Sequence, residues 1–304
     1  MKLMQTQVRR EFWEHRALWM IPLSIGAALL LLAAIFKHIN VSIDNAPPLD
    51  SAPRTTLFQL GLIGWALPFY CAAIIQATSY LLDCLYGERR DRSILFWRSM
   101  PVSDTRVVLT KLLVGALLVA ALAFAAAAIT SLLTSAILAA RSHGGGIVIN
   151  SVQVPVWDTL GWLQMQALML YGLLGAILWL APFAAYLLLI SAWARRAPLA
   201  WAVMLPVLLL LLEHMAFGTY YVARVAGGQL GEFLATAFRL DGQTARSLGG
   251  AIAAPGTALG QPRFNLELMD PAHLLASARL WLGLLAAAAM ILAAIRLRRY
   301  RDEA

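Results

Sequence analysis

The sequence predicts an all-α integral membrane protein with six transmembrane helices, and three observations predict it. Of 304 residues, 61% are hydrophobic and only 13% charged, with mean hydropathy +0.71, which excludes an ordinary soluble globule. Six runs, at 17–36, 57–82, 112–140, 163–192, 199–222 and 274–295, each supply the roughly 20 apolar residues that a helix needs to cross the hydrocarbon layer. Stretches such as LLVGALLVAALAFAAAAI show none of the alternation that a membrane barrel strand requires.

Before the first span, Met4, Val8 and Phe12 recur at four-residue spacing, with Arg9, Arg10 and Glu14 between them. That pattern predicts an interfacial helix over 1–16, with Trp13 near the headgroups. The segment carries four Lys or Arg ahead of a full-length apolar run, so 17–36 reads as a span rather than a signal peptide. If both ends of the chain share one side, that side holds sixteen of the 24 Lys and Arg residues. Basic residues concentrate on the cytoplasmic side, so both termini are expected there. The formal net charge of +8 is then a topology signal, and no nucleic-acid partner is expected.

The link 38–56, with Asn45, Pro47, Pro48 and Pro53, predicts an irregular external loop. The link 141–158 is similar, broken by Gly144, Gly145 and Gly146, with a VQVPV run that suits a short strand. ARRAP at 194–198 predicts a tight cytoplasmic turn. The external region 223–273 is long for a simple connection. Leu230, Phe233, Leu234, Ala237 and Phe238 form an apolar helical stripe there, and a second short helix is expected over 244–254. One or two short helices should dip into or lie on the outer leaflet and pack against the last span. The whole chain reads as one transmembrane domain over 1–304: interfacial helix 1–16, spans one to five over 17–222, external helical loop 223–273, and last span with basic tail 274–304.

No catalytic set is evident. The chain has no G-x-x-x-x-G-K-[ST] loop to hold nucleotide phosphates, no H-E-x-x-H and no Cys pair to build a metal site. Cys71 and Cys84 are expected to be buried, inert thiols. Glu213 and His214 are the one ionisable pair inside an apolar run. They are candidate pathway residues, or else they sit at the outer end of span five and reach the headgroups; the sequence leaves both open.

The segment 83–111, DCLYGERRDRSILFWRSMPVSDTRVVLTK, is the only long charged stretch between the first and last spans. Glu88, Arg89, Arg90, Asp91 and Arg92 precede the apolar cluster Ile94, Leu95, Phe96 and Trp97, followed by Arg98. Pro101 then stops that helix, and Ser103 or Asp104 is placed to cap the next. A charged helix with a bulky apolar patch between two spans suits a cytoplasmic docking lever; an amphipathic helix resting on headgroups is the alternative.

The order Glu88-Arg89-Arg90, Arg92-Ser93-Ile94-Leu95, Pro101-Val102-Ser103 and Lys111 resembles the ABC-2 family of transporter permeases. Members show an acidic–basic cluster, a G-T-L-like triplet, P-V-S and a lysine opening the third span. The stretch RREFWEHR resembles their N-terminal interfacial helix. Arg92 stands where the broad family often has Gly. The resemblance implies a permease subunit of an ATP-driven exporter in the bacterial inner membrane, multi-pass and without enzyme activity of its own. It implies no cofactor in this chain, since ATP and Mg would be bound by a separate ATP-binding subunit. A second permease copy or homologue would complete a dimer. By position, a coupling helix between spans two and three would dock the ATPase through Glu88, Arg89, Arg90, Asp91, Arg92, Phe96, Trp97, Arg98, Pro101, Ser103 and Asp104. A secondary transporter, or an immunity or scaffold membrane protein, is the alternative.

Overall fold

The computed structural model describes residues 2–35, 40–41, 54–91, 103–141, 147–149, 152–154, 157–239 and 264–300. Among them, six helices are long and apolar enough to cross a membrane. Helix α1 (Lys2–Glu14) leads through His15 and Arg16 into α2 (Ala17–Ile35), the first span. Helix α3 (Arg54–Arg90) is the second. The third is continuous from α4 (Asp104–Leu113) through a π-helical turn (Val114–Leu118) into α5 (Val119–Arg141). Helices α6 (Thr159–Trp179) and α7 (Ala181–Trp193) follow, then α8 (Pro198–Phe217), α9 (Tyr221–Gly231) and α10 (Phe233–Ala237). A 3-10 turn (Leu266–Leu268) and α11 (Pro271–Ala276) precede α12 (Ala278–Tyr300).

One amendment to the all-α expectation is a small sheet of β1 (Asn40–Val41), β2 (Ile147–Ile149) and β3 (Val152–Val154), in the order β1-β2-β3. The β2–β3 pair is an antiparallel hairpin, and β1 adds in parallel, Asn40 opposite Val148. The VQVPV run contributes β3, as its alternation suggests.

Lipid tails are as apolar as the side chains, so helices associate in a membrane through close packing rather than hydrophobic transfer. Glycines at contacts are therefore informative. A Cβ on Gly115 would stand 2.6 Å from Leu81 Cδ2, and one on Gly26 2.8 Å from the Thr130 methyl. Leu81, Phe69, Val108, Val114 and Leu188 fill the core between α3, the third span and α7, each 2% exposed or less. Helix α8 has no buried residue and sits at the rim. Cys84 is buried as expected, but Cys71 is exposed on the surface of α3, which corrects the expectation of two buried thiols.

The predicted fourth span is two helices. Leu180 leaves helical geometry (φ −91°, ψ 4°), and Pro182 opens α7 without an N–H to continue the ladder. The freed Trp179 carbonyl accepts from Gln229 Nε2 at 2.8 Å, and Trp179 Nε1 donates to the Gln229 carbonyl. Thus α9 is fastened at the break. Gly175 gives α10 room, since a Cβ there would meet Phe233 and Leu274 at 3.3 Å. Of the expected stripe, Phe233, Ala237 and Phe238 pack inward, while Leu230 and Leu234 are exposed. The α9–α10 region does pack on α12, through Glu232–Arg279 and through Gln229 beside Gly283. Span five ends at Phe217 because Gly218 takes a left-handed conformation (φ 65°), which glycine adopts without strain. The expected helix over 244–254 lies outside the described residues.

Candidate coupling site

Each contributor to this site reaches it by its own element. Helix α1 turns Val8 and Glu11 toward the bundle and leaves Trp13 60% exposed. Glu88 sits in the last turn of α3, Asp104 opens α4, Lys111 follows two turns later, and Arg298 sits in the last turn of α12. These five residues come from four separate stretches of chain and meet at one end of the bundle.

The Lys111 side chain, 3% exposed, places Nζ 3.0 Å from Glu11 Oε1 and 3.1 Å from Glu88 Oε1. Arg298, whose side chain is also buried, places Nη1 2.8 Å from Glu88 Oε2 and donates from Nε to Asp104 Oδ1 at 3.2 Å. Tyr80 donates its hydroxyl to Glu11 Oε2 at 2.8 Å, and His15 Nε2 lies 3.5 Å from the same oxygen. Burial alone would raise the Glu11 carboxyl. The Lys111 charge and hydrogen bond, with the Tyr80 hydroxyl and His15, outweigh it and hold the group below its ordinary value. Three carboxylates thus face two buried cations, and Glu88 is shared by both. Removing one member of such a pair strands a charge in a dry site, at a cost of about 3–5 kcal/mol. The arrangement ties α1, α3, α4 and α12 together at one end of the bundle. Among the described residues no group of His, Cys, Asp and Glu is placed to hold a metal ion.

The residues singled out from sequence separate into groups. Glu88 and Asp104 are joined through Arg298. Arg89 points the other way, donating from Nη2 to the carbonyls of Ser191 (2.5 Å) and Ala194 (2.9 Å) at the end of α7. Ser191 Oγ in turn accepts from the Leu85 and Tyr86 amides, each at 3.1 Å. Arg90 and Asp91 are exposed and pair with each other at 3.1 Å. Ser103 holds the N-cap position of α4 with extended backbone, but its side chain makes no capping bond, and Asp104 is engaged with Arg298 instead. Arg92, Phe96, Trp97, Arg98 and Pro101 lie outside the described residues.

Glu213 and His214 are not part of this cluster. The Glu213 carboxylate accepts from the Tyr221 and Val222 amides and from the Thr219 hydroxyl, so it caps the start of α9. His214 stacks on Tyr220, ring centroids 4.6 Å apart.

Sequence reasoning missed Glu11, Tyr80 and Arg298. Glu11 carried a faint signal: it lies three residues after Val8, on the face that α1 buries. Arg298 carried none, since RLRRY reads as an ordinary basic flank. No protein-family model, no curated protein and no solved structure matches this chain.

Proposed function

We propose that this chain is the permease subunit of an ATP-driven exporter of the ABC-2 type. In this reading it lies in a bacterial cytoplasmic membrane with both termini inside, pairs with a second permease copy or homologue, and is driven by separate ATP-binding subunits. The segment 88–104 is the surface on which the ATPase docks. The observation that carries the reading is the anchoring of that segment. Glu88 and Asp104 at its two ends are held by Arg298, and Glu88 by Lys111 as well. A push on the segment then reaches the second, third and last spans together, which is what a coupling lever requires and a loose headgroup-resting link does not. The six apolar helices, and the meeting of α1 with the end of α12 at one end of the bundle, support the multi-pass topology with both termini on one side.

The test is purification of the tagged protein from its native membrane under mild detergent. An ATP-binding subunit should copurify in stoichiometric amount and hydrolyse MgATP. A preparation that contains no such subunit, yet moves its cargo with an ion gradient alone, would establish the secondary-transporter reading instead.

A further inference from the structure

Resting on the reading of 88–104 as the docking segment, we propose that Arg298 is a positioning residue that clamps the segment's two ends. Through this clamp the last span is a working part of the coupling device.

The guanidinium satisfies two carboxylates from different helices with different edges: Nη1 to Glu88 at 2.8 Å and Nε to Asp104 at 3.2 Å. A planar guanidinium has its donors in a fixed fork, so binding two acids at once sets their relative position more tightly than the rotatable ammonium of a lysine does. Positive-inside topology needs only basic residues near the span end. Arg296 and Arg299 supply that from exposed positions, whereas Arg298 is 7% exposed. Its burial among acids therefore asks for a separate reason. A route onward is also present. Helix α12 packs along α7, with a Cβ on Gly283 meeting Pro182 at 3.5 Å, and α7 holds the base of α3 through Ser191 and Arg89. Movement of the segment ends would therefore be shared by α3, α7 and α12 rather than absorbed in a loop.

The experiment places spin labels at Asp91→Cys and Thr105→Cys, both exposed, in a Cys71→Ala background that keeps the buried Cys84. The parent should give one narrow distance distribution. Arg298→Gln should broaden it, Arg298→Lys should restore part of the narrowing, and Arg296→Gln should leave it as in the parent. If Arg298→Gln does not accumulate, Asp104→Asn removes one prong at a side chain already 36% exposed and should broaden the distribution likewise. In the complex with the ATP-binding subunit, kcat for MgATP should fall about fivefold or more, the lower edge of ordinary coupling between sites. KM should be unchanged, because the nucleotide sits in the partner. An unaltered distribution in Arg298→Gln and Asp104→Asn overturns the clamp, as does equal broadening in Arg296→Gln. A broadened distribution with parental kcat overturns its part in coupling. The spectroscopic arm needs no ATPase, so its failure is distinct from failure of the permease reading.

Discussion

Glu11 and Lys111 are one hundred residues apart in sequence, and their side chains meet at 3.0 Å inside the bundle. That contact fastens the N-terminal helix to the helix that opens the third span. Glu88 shares the same ammonium at 3.1 Å. The N-terminal helix is thus joined to the cluster that anchors the candidate docking segment.

Replacing Lys111 with Met should destabilise the protein strongly, because Glu11 and Glu88 are then left buried without their shared cation. The expected cost is about 3–5 kcal/mol. Adding Glu11→Gln to Lys111→Met should recover part of that loss, since one stranded charge is removed. Thermal unfolding in detergent reads both; strict additivity of the two changes would show that the pair does not interact.

The same contact gives a pH dependence with a definite sign. The Glu11 carboxyl is held below its ordinary value, so the folded state binds its proton less readily than the unfolded chain. Its stabilisation is therefore fully present above that ordinary value and is lost as pH falls through the depressed one. Acid unfolding of the parent should be steeper than that of Glu11→Gln at pH below the ordinary carboxylate value. Identical acid profiles for the two proteins would remove Glu11 from the account.

At the helix break, Gln229→Leu should leave the Trp179 carbonyl without its donor, at about 1–3 kcal/mol for an unsatisfied buried group. Trp179→Phe removes the reciprocal donor, and the double variant should cost less than the two single changes together. A thermal double-mutant cycle measures the difference. A coupling of zero would mean that α9 and α10 are seated by their apolar contacts alone.

Two glycines make a matched pair. A Cβ on Gly115 meets Leu81, itself 2% exposed and closely packed, whereas one on Gly61 of the second span meets nothing within 4 Å. Gly115→Ala should cost about 1–3 kcal/mol through overpacking at the π-helical turn. Gly61→Ala should be neutral or slightly stabilising, as expected of a helix residue in open space. Equal effects in a thermal assay would mean that the close approach of Leu81 to Gly115 does not constrain the protein.

What the sequence made legible follows from what each signal needs. The long apolar runs declare themselves because hydropathy over about 20 residues needs no tertiary partner. The division of the fourth span was hidden because Pro182 is equally compatible with a kinked continuous helix, and the choice is made by Gln229, 50 residues away. The cluster was hidden for the same reason. Arg298 finds Asp104 and Glu88 across 194 and 210 residues, and nothing local distinguishes it from the neighbouring arginines. Glu88 and Asp104 were marked by the charged link around them. The sequence drew them as docking charges; the structure shows both engaged inside the molecule.

That engagement sharpens which residues of the segment should meet a partner. Glu88 and Asp104 are occupied by Lys111 and Arg298, and Arg89 by the carbonyls of Ser191 and Ala194. Arg90 is exposed and tied only loosely, to Asp91 beside it and over the Tyr86 ring at 6.0 Å. Arg90→Glu should therefore weaken docking of the proposed ATP-binding subunit while leaving the fold intact, because it disturbs only exposed contacts of modest worth. Arg89→Glu should instead lower thermal stability, since it strands two carbonyls at the base of α7. Truncating Phe96 or Trp97 should act like Arg90→Glu if those side chains are apolar anchors for the partner. Copurification of the ATP-binding subunit and thermal unfolding, measured side by side, separate the two classes. If Arg90→Glu and the Phe96 and Trp97 truncations retain the partner at parental level, the ATPase does not dock through this segment, and the exposed charges only face the headgroups.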